Sequence, residues 1–225
     1  MKKVVCDSSS IITLSTNCLL WLLDKFEAEF LVPFYVRKEI MDNPLNTKNY
    51  AFEAMRNGLL VGKTLHVEKT SPELRDRIIK LSNTLLMHKG KPIEIVQYGE
   101  ADALALCMEK AVETLLVDEK NTRLLIEDRE TLRKVIERRT GKEIEINGGV
   151  EAELKKLLEG IKVIRSSELV AVAVKRGLLD WPYPKKELLR SVLTALKLSG
   201  CSISSGEIVE IINETAPTKI NQSSP

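Results

Sequence analysis

Two rhythms of apolar positions alternate along this chain. Short continuous apolar runs, Val4-Val5-Cys6, Phe30-Leu31-Val32 and Thr114 to Val117, read as buried strands. Ile161 to Ile164 reads as another, and Leu59 to Val67 carries the β-like residues of an edge strand. Between these runs, apolar residues recur at helical spacing. One helix is predicted after Ser8 to Ser10, which offer N-caps. A second starts at Pro33, runs through Val36, Glu39 and Ile40, and is broken by Asn43-Pro44. Residues 50–60 read as helical up to Asn57-Gly58, and Pro72 to Leu86 as helical throughout, with His88 to Pro92 a loop. Gly99 precedes a helix from Glu100 to Val112, and Asn121 to Ile126 is a shorter one. Residues 127–160 are charge-dense, helical and broken near Asn147-Gly148-Gly149, the pattern of a protruding insertion. Ser166-Ser167 caps a helix through Val174 that Gly177 ends, and two more helices are predicted around 185–198 and 205–214. The polar tail from Pro217 is expected to be disordered.

Strands alternating with helices predict an α/β fold, a three-layer α/β/α sandwich around a central parallel sheet. Residues 1–215 then form one domain, with 41–98 and 127–160 as long insertions and 216–225 as a tail. Aromatic residues are only 4% of the chain, so the core must be aliphatic and base-stacking platforms are disfavoured. A net charge of +2 gives no overall basic field, so contact with nucleic acid needs a local cluster or a bridging metal. Cys6, Cys18, Cys107 and Cys201 all sit in apolar runs without metal-ligand spacing, as small core residues of a reducing compartment do. Asp7 interrupts the first apolar stretch too early for a signal peptide, and no uncharged run approaches the ~20 residues of a membrane span. A cytoplasmic protein with no membrane partner is expected.

Two strands run straight into an aspartate, at Asp7 and Asp118. Either alone reads most simply as a helix or turn cap. Both together would emerge at the edge of a parallel sheet where ligands bind. Glu100 continues the apolar face of Leu104, Cys107 and Ala111, and a carboxylate there is costly unless paired or metal-bound. Asp102 lies about 200° further round the helix, so the two need not face one site. Glu39 borders apolar positions but could pair with Arg37 or Lys38.

These segments, in this order, resemble the PIN-domain family, in a prokaryotic branch related to VapC. Val4-Val5-Cys6-Asp7-Ser8-Ser9 looks like its opening strand, Val32-Pro33 to Glu39 like its second acidic segment, Gly99-Glu100-Ala101-Asp102 like its third, and Leu116-Val117-Asp118-Glu119 with Arg123 like its fourth. Ser166 to Leu169 and Ala173 to Leu179 look like its final strand and helix. The resemblance implies a ribonuclease that cleaves single-stranded RNA with Mg²⁺ or Mn²⁺, hard cations suited to oxygen ligands. It implies Asp7, Glu100, Asp102 and Asp118 as direct or water-mediated ligands, with Glu39 in the same catalytic pocket and Glu119 as a further candidate. Ser9 would orient Asp7 by a hydrogen bond, and Lys120 and Arg123 would approach RNA phosphates. It also implies an antitoxin protein and a homodimer as partners, with the long second insertion, 127–160, a departure from the compact toxins of the family. His66 and His88 lie far from these motifs, Ser8 has no evident His partner, and no P-loop or dinucleotide fingerprint is present. The competing readings are a non-catalytic PIN-like module that binds RNA or protein, and a DNA flap-type nuclease.

Overall fold

Five of the apolar runs lie side by side in one parallel sheet. The computed structural model describes residues 1–47 and 49–216. In chain order the elements are β1 (Lys2–Cys6), α1 (Ser8–Thr16), β2 (Ala28–Pro33), α2 (Phe34–Arg37), α3 (Asn43–Leu45), α4 (Ala51–Gly58), β3 (Leu65–Glu68), α5 (Pro72–Leu85), β4 (Leu86–His88), β5 (Lys91–Pro92) and α6 (Tyr98–Glu109). They continue with β6 (Thr114–Leu116), α7 (Lys120–Glu127), α8 (Arg129–Thr140), β7 (Glu145–Ile146), α9 (Gly148–Leu157), β8 (Lys162–Ile164), α10 (Ser166–Lys175), α11 (Lys185–Leu198) and α12 (Ser205–Thr215).

The sheet order is β3-β2-β1-β6-β8, every neighbour parallel. Strand side chains alternate between two apolar layers, as period-2 geometry requires. Val4, Cys6, Phe30, Val32 and Leu116 pack with α1 and α10–α12. Val5, Leu31, Leu115 and Val117 pack with α5–α9. The chain winds from β1 outward through β2 and β3, then returns to place β6 and β8 on the other side of β1. The order therefore reverses between β1 and β6, and in open parallel sheets ligands bind at the carboxyl edge of such a switch point. Asp7 and Asp118 stand at that edge. No helix of the described residues is long and apolar enough to cross a membrane.

Several local expectations change. The helix after Pro33 continues past Asn43-Pro44, through a π-turn over Lys38–Asp42 and then α3. The wider turn lets Asn43 N–H donate to the Lys38 carbonyl. The Ile40 carbonyl, four residues before the proline that cannot donate to it, instead accepts from the buried Asn57 Nδ2 at 2.8 Å. Residues 127–160 do not protrude. Leu132, Ile136 and Leu154 are fully buried, α9 packs on α5, and β7 pairs with β4, so the two insertions close on each other as one layer.

His88 to Pro92 is a hairpin rather than a loop, with Lys89 and Gly90 both at positive φ (48° and 75°). Lysine at the first of these positions hides the turn from sequence. Of the Leu59 to Val67 stretch, residues up to Thr64 form turns, and the edge strand begins at Leu65. Cys18 is exposed rather than core, because the chain turns left-handed there (φ 58°) after α1. The tail expected from 216 lies outside the described residues except for Ala216, the C-cap of α12.

Candidate functional site

Asp7 itself, not Ser8 to Ser10, caps α1. Its Oδ2 accepts from Ser9 N–H at 3.0 Å and from Ser9 Oγ at 2.6 Å. The same Ser9 Oγ accepts from the backbone N–H groups of Asp118 (3.0 Å) and Glu119 (3.3 Å). Asp7 N–H also donates to the Leu116 carbonyl at 2.9 Å. One serine thus ties the ends of β1 and β6 together and fixes the Asp7 rotamer. Asp7 is 1% exposed, and its Oδ1 is buried without a hydrogen-bond partner among the described residues. An orphaned carboxylate oxygen at that depth costs free energy unless something outside the chain satisfies it.

Three other acids gather around it. Glu39 comes from the π-turn, a distortion that often marks functional sites. It lies against the start of α6, where a Cβ on Gly99 would fall 2.7 Å from both its carboxylate oxygens, so a glycine is what lets it approach. Glu100 is the third residue of α6, and its Oε2 accepts from Gln97 N–H at 2.6 Å. Glu119 caps α7, with Oε2 accepting from Thr122 N–H at 2.7 Å.

Burial pushes all four carboxyl groups above their ordinary range, and their mutual charge adds to it. Asp7 is raised by burial, opposed by its Ser9 hydrogen bonds and reinforced by the Asp118 charge. Glu100 rises to about 7, through burial first, then the charges of Asp7, Glu119 and Glu39. Glu39 is raised by burial and by Asp7 and Asp102, with a hydrogen bond from Ser8 working the other way. Glu119 is raised by burial and, despite its backbone hydrogen bonds, by Asp7. Among the described residues none of the four has a Lys or Arg ion-pair partner.

A PIN domain family model matches residues 3–131, more than half of the chain. This chain belongs to the PIN domain family. PIN domains are generally nucleases and typically use divalent metals. Neither a search of curated proteins nor a search of solved structures returns a match. The family match stops inside α8, so β7, β8 and α9–α12 lie beyond it.

The remaining acids of the motifs are held differently. Asp102, fully buried, turns away from Glu100: its Oδ2 accepts from Tyr35 N–H at 3.2 Å and its Oδ1 from Thr70 Oγ1. Asp118, also fully buried, accepts from Ser166 N–H (2.7 Å) and Ser166 Oγ (2.6 Å), one on each oxygen. Ser166 therefore holds Asp118 rather than capping α10, whose cap is Arg165. Lys120 is exposed on the first turn of α7, whereas Arg123 is engaged with Glu127 at 3.0 Å. Among the described residues no three His, Cys, Asp or Glu side chains stand close enough together to hold a metal ion as placed. The fit of this PIN domain to a cation rests instead on the free Asp7 Oδ1 and on a donor set of carboxylates alone.

Proposed function

We propose that this PIN domain is a Mg²⁺- or Mn²⁺-dependent endoribonuclease acting on single-stranded RNA, as a toxin of a toxin–antitoxin pair or an RNA-processing enzyme. Asp7, Glu39, Glu100 and Glu119 would hold the cation, and Asp102 and Asp118 would act at one remove, through water or by fixing the strand ends. The orphaned Asp7 Oδ1 carries the reading, because nothing among the described residues satisfies it and a hard cation would. Held by these carboxylates, a divalent cation would supply Lewis acidity, making a bound water a better nucleophile and offsetting charge on the phosphate. The chain's own share is geometric. Ser9 fixes Asp7, the π-turn swings Glu39 inward, Gly99 gives it room, and the helix-start hydrogen bonds of Glu100 and Glu119 leave one oxygen of each free to turn inward.

Asp7→Asn should lower Mn²⁺-dependent cleavage of a single-stranded RNA by about a thousandfold, the several kcal/mol expected of Lewis-acid stabilisation. Cleavage that persists in Asp7→Asn, with contaminating nuclease excluded, would overturn the assignment. The second reading, a module that binds RNA or protein without turnover, is favoured by the absence of three closely convergent ligands among the described residues. It predicts RNA binding with neither Mn²⁺ stabilisation nor cleavage.

A further inference from the structure

Tyr98 is the residue immediately before Gly99 and opens α6 at the acid cluster. Its ring is stacked on Tyr35, centroids 5.7 Å apart and planes 25° from parallel. Tyr35 in turn meets Phe34 edge to face, at 6.4 Å. Two cations brace this group. The Arg75 guanidinium lies 4.8 Å from the Tyr35 ring centre and 5.3 Å from that of Tyr98. Lys38 Nζ lies 5.0 Å from the Tyr35 ring centre and 4.8 Å from that of Phe34. Arg75 is 8% exposed and held by Asp76, so it is a fixed support and not a solvated charge. Tyr98 remains 54% exposed.

A tyrosine held by a second ring and a buried guanidinium, and still more than half exposed, has lost its rotamer freedom in advance. Ordering it further costs little when a flat ligand arrives. Lys38, next in sequence to Glu39 and in no ion pair among the described residues, favours a polyanion beside an acid cluster that would otherwise repel one. Aromatic residues are too scarce in this chain to suggest a stacking surface, yet three of them converge beside the cluster.

We propose that Tyr98, supported by Tyr35 and Arg75, is a stacking platform for one unpaired base of a single-stranded nucleic acid whose adjacent phosphate lies at the acid cluster. The inference rests on the nuclease reading and adds how the substrate is positioned and why it must be single-stranded: only an unpaired base offers a free face.

The test measures binding of a fluorescein-labelled single-stranded RNA decamer to Asp7→Asn protein in Mg²⁺, where cleavage is suppressed. A decamer with abasic positions serves as control. Adding Tyr98→Ala should weaken binding of the normal decamer about tenfold. Adding Tyr98→Trp should preserve or tighten it, and the abasic decamer should bind weakly and equally to all three proteins. Equal binding of the normal decamer by the Ala and Trp variants would overturn the platform. So would an equal loss on normal and abasic decamers, which marks a merely structural role. If Asp7→Asn protein binds no RNA and wild type cleaves none, the nuclease reading itself has failed. If wild-type cleavage stands and Tyr98→Ala binds normally, only the platform has.

Discussion

Asp7 and Arg165 occupy equivalent places in the fold and face opposite electrostatic problems. Each is the first residue after a parallel strand and the N-cap of the helix that follows. Around Arg165 the chain supplies both signs of charge. The guanidinium, 9% exposed, donates to Glu168 Oε1 (2.8 Å from Nε), Glu207 Oε1 (2.8 Å) and the Ser202 carbonyl (2.8 Å). Burial alone would push Glu207 up, but hydrogen bonds from Ser204 and the Arg165 charge hold it at about 2. Around Asp7 no Lys or Arg among the described residues forms an ion pair with the four acids, and Glu100 is driven the other way, to about 7. Acids beside a built-in cation are at rest. Acids without one are poised for a cation from outside, and that contrast supports the proposed site beside the orphaned Asp7 Oδ1.

The comparison breaks most visibly if Arg165 is removed. Arg165→Met leaves Glu168 and Glu207 facing each other without their cation. Breaking a buried pair costs about 3–5 kcal/mol. Both glutamates here are more than a third exposed, so about 2–3 kcal/mol is expected, or about 4–12 °C in Tm for a chain of this size. Asp7→Asn should move the opposite way, raising the Tm of metal-free protein while abolishing stabilisation by Mn²⁺. Calorimetry in EDTA and in excess Mn²⁺ reads both. A fall in metal-free Tm for Asp7→Asn would mean that this carboxylate is already satisfied within the chain.

A smaller effect separates Asp7 from Asp118, two aspartates at the same sheet edge. Both Asp118 oxygens are taken by Ser166, so Asp118→Asn keeps one of these hydrogen bonds and reorients the other. If Asp118 acts at one remove, the variant should weaken Mn²⁺ binding about tenfold, at the low end for outer positions around a metal. Asp7→Asn should remove measurable binding. Titration calorimetry with Mn²⁺ distinguishes the two, and equal losses would place Asp118 on the metal.

Much of this was legible in the sequence. Val4-Val5-Cys6 and Leu115-Leu116-Val117 are buried on both faces, so they appear as unbroken apolar runs, and the fold class follows from them. Asp7 and Asp118 were visible as the residues that end those runs. Their different fates were not, because Ser166 reaches Asp118 from 48 positions away. Glu39 was ambiguous because a continuous α-helix ending at Pro44 would aim it differently from the π-turn that forms, and that turn depends on Asn57. The packing of 127–160 was hidden by its charge, which lies on the outer faces of α8 and α9 while Leu132, Ile136 and Leu154 carry the contact. The Tyr35–Tyr98 stack joins residues 63 positions apart, and no local pattern announces it.

The smallest effect lies in pH, where the two regions should pull in opposite directions. Glu207 is held at about 2, below the ordinary glutamate value of 4.5. Its stabilisation is therefore complete above about pH 4.5 and lost as pH falls toward 2. Glu100 is raised, by burial above all, to about 7. Its contribution is complete below pH 4.5 and lost as pH rises through about 7, because the folded state resists ionising it. Solvent screening limits that second effect to about 1 kcal/mol or less, so metal-free Tm should fall by no more than about 2–4 °C between pH 4.5 and 7.5. Glu100→Gln should flatten this limb and leave the acid limb alone. Excess Mn²⁺ should flatten it too, since a bound cation favours the ionised carboxylates that burial and mutual charge oppose in metal-free protein. A metal-free Tm that rises over this interval in wild type, or a slope unchanged in Glu100→Gln, would show that the carboxylates at this edge do not oppose one another's ionisation, and the contrast with Arg165 would fail at its foundation.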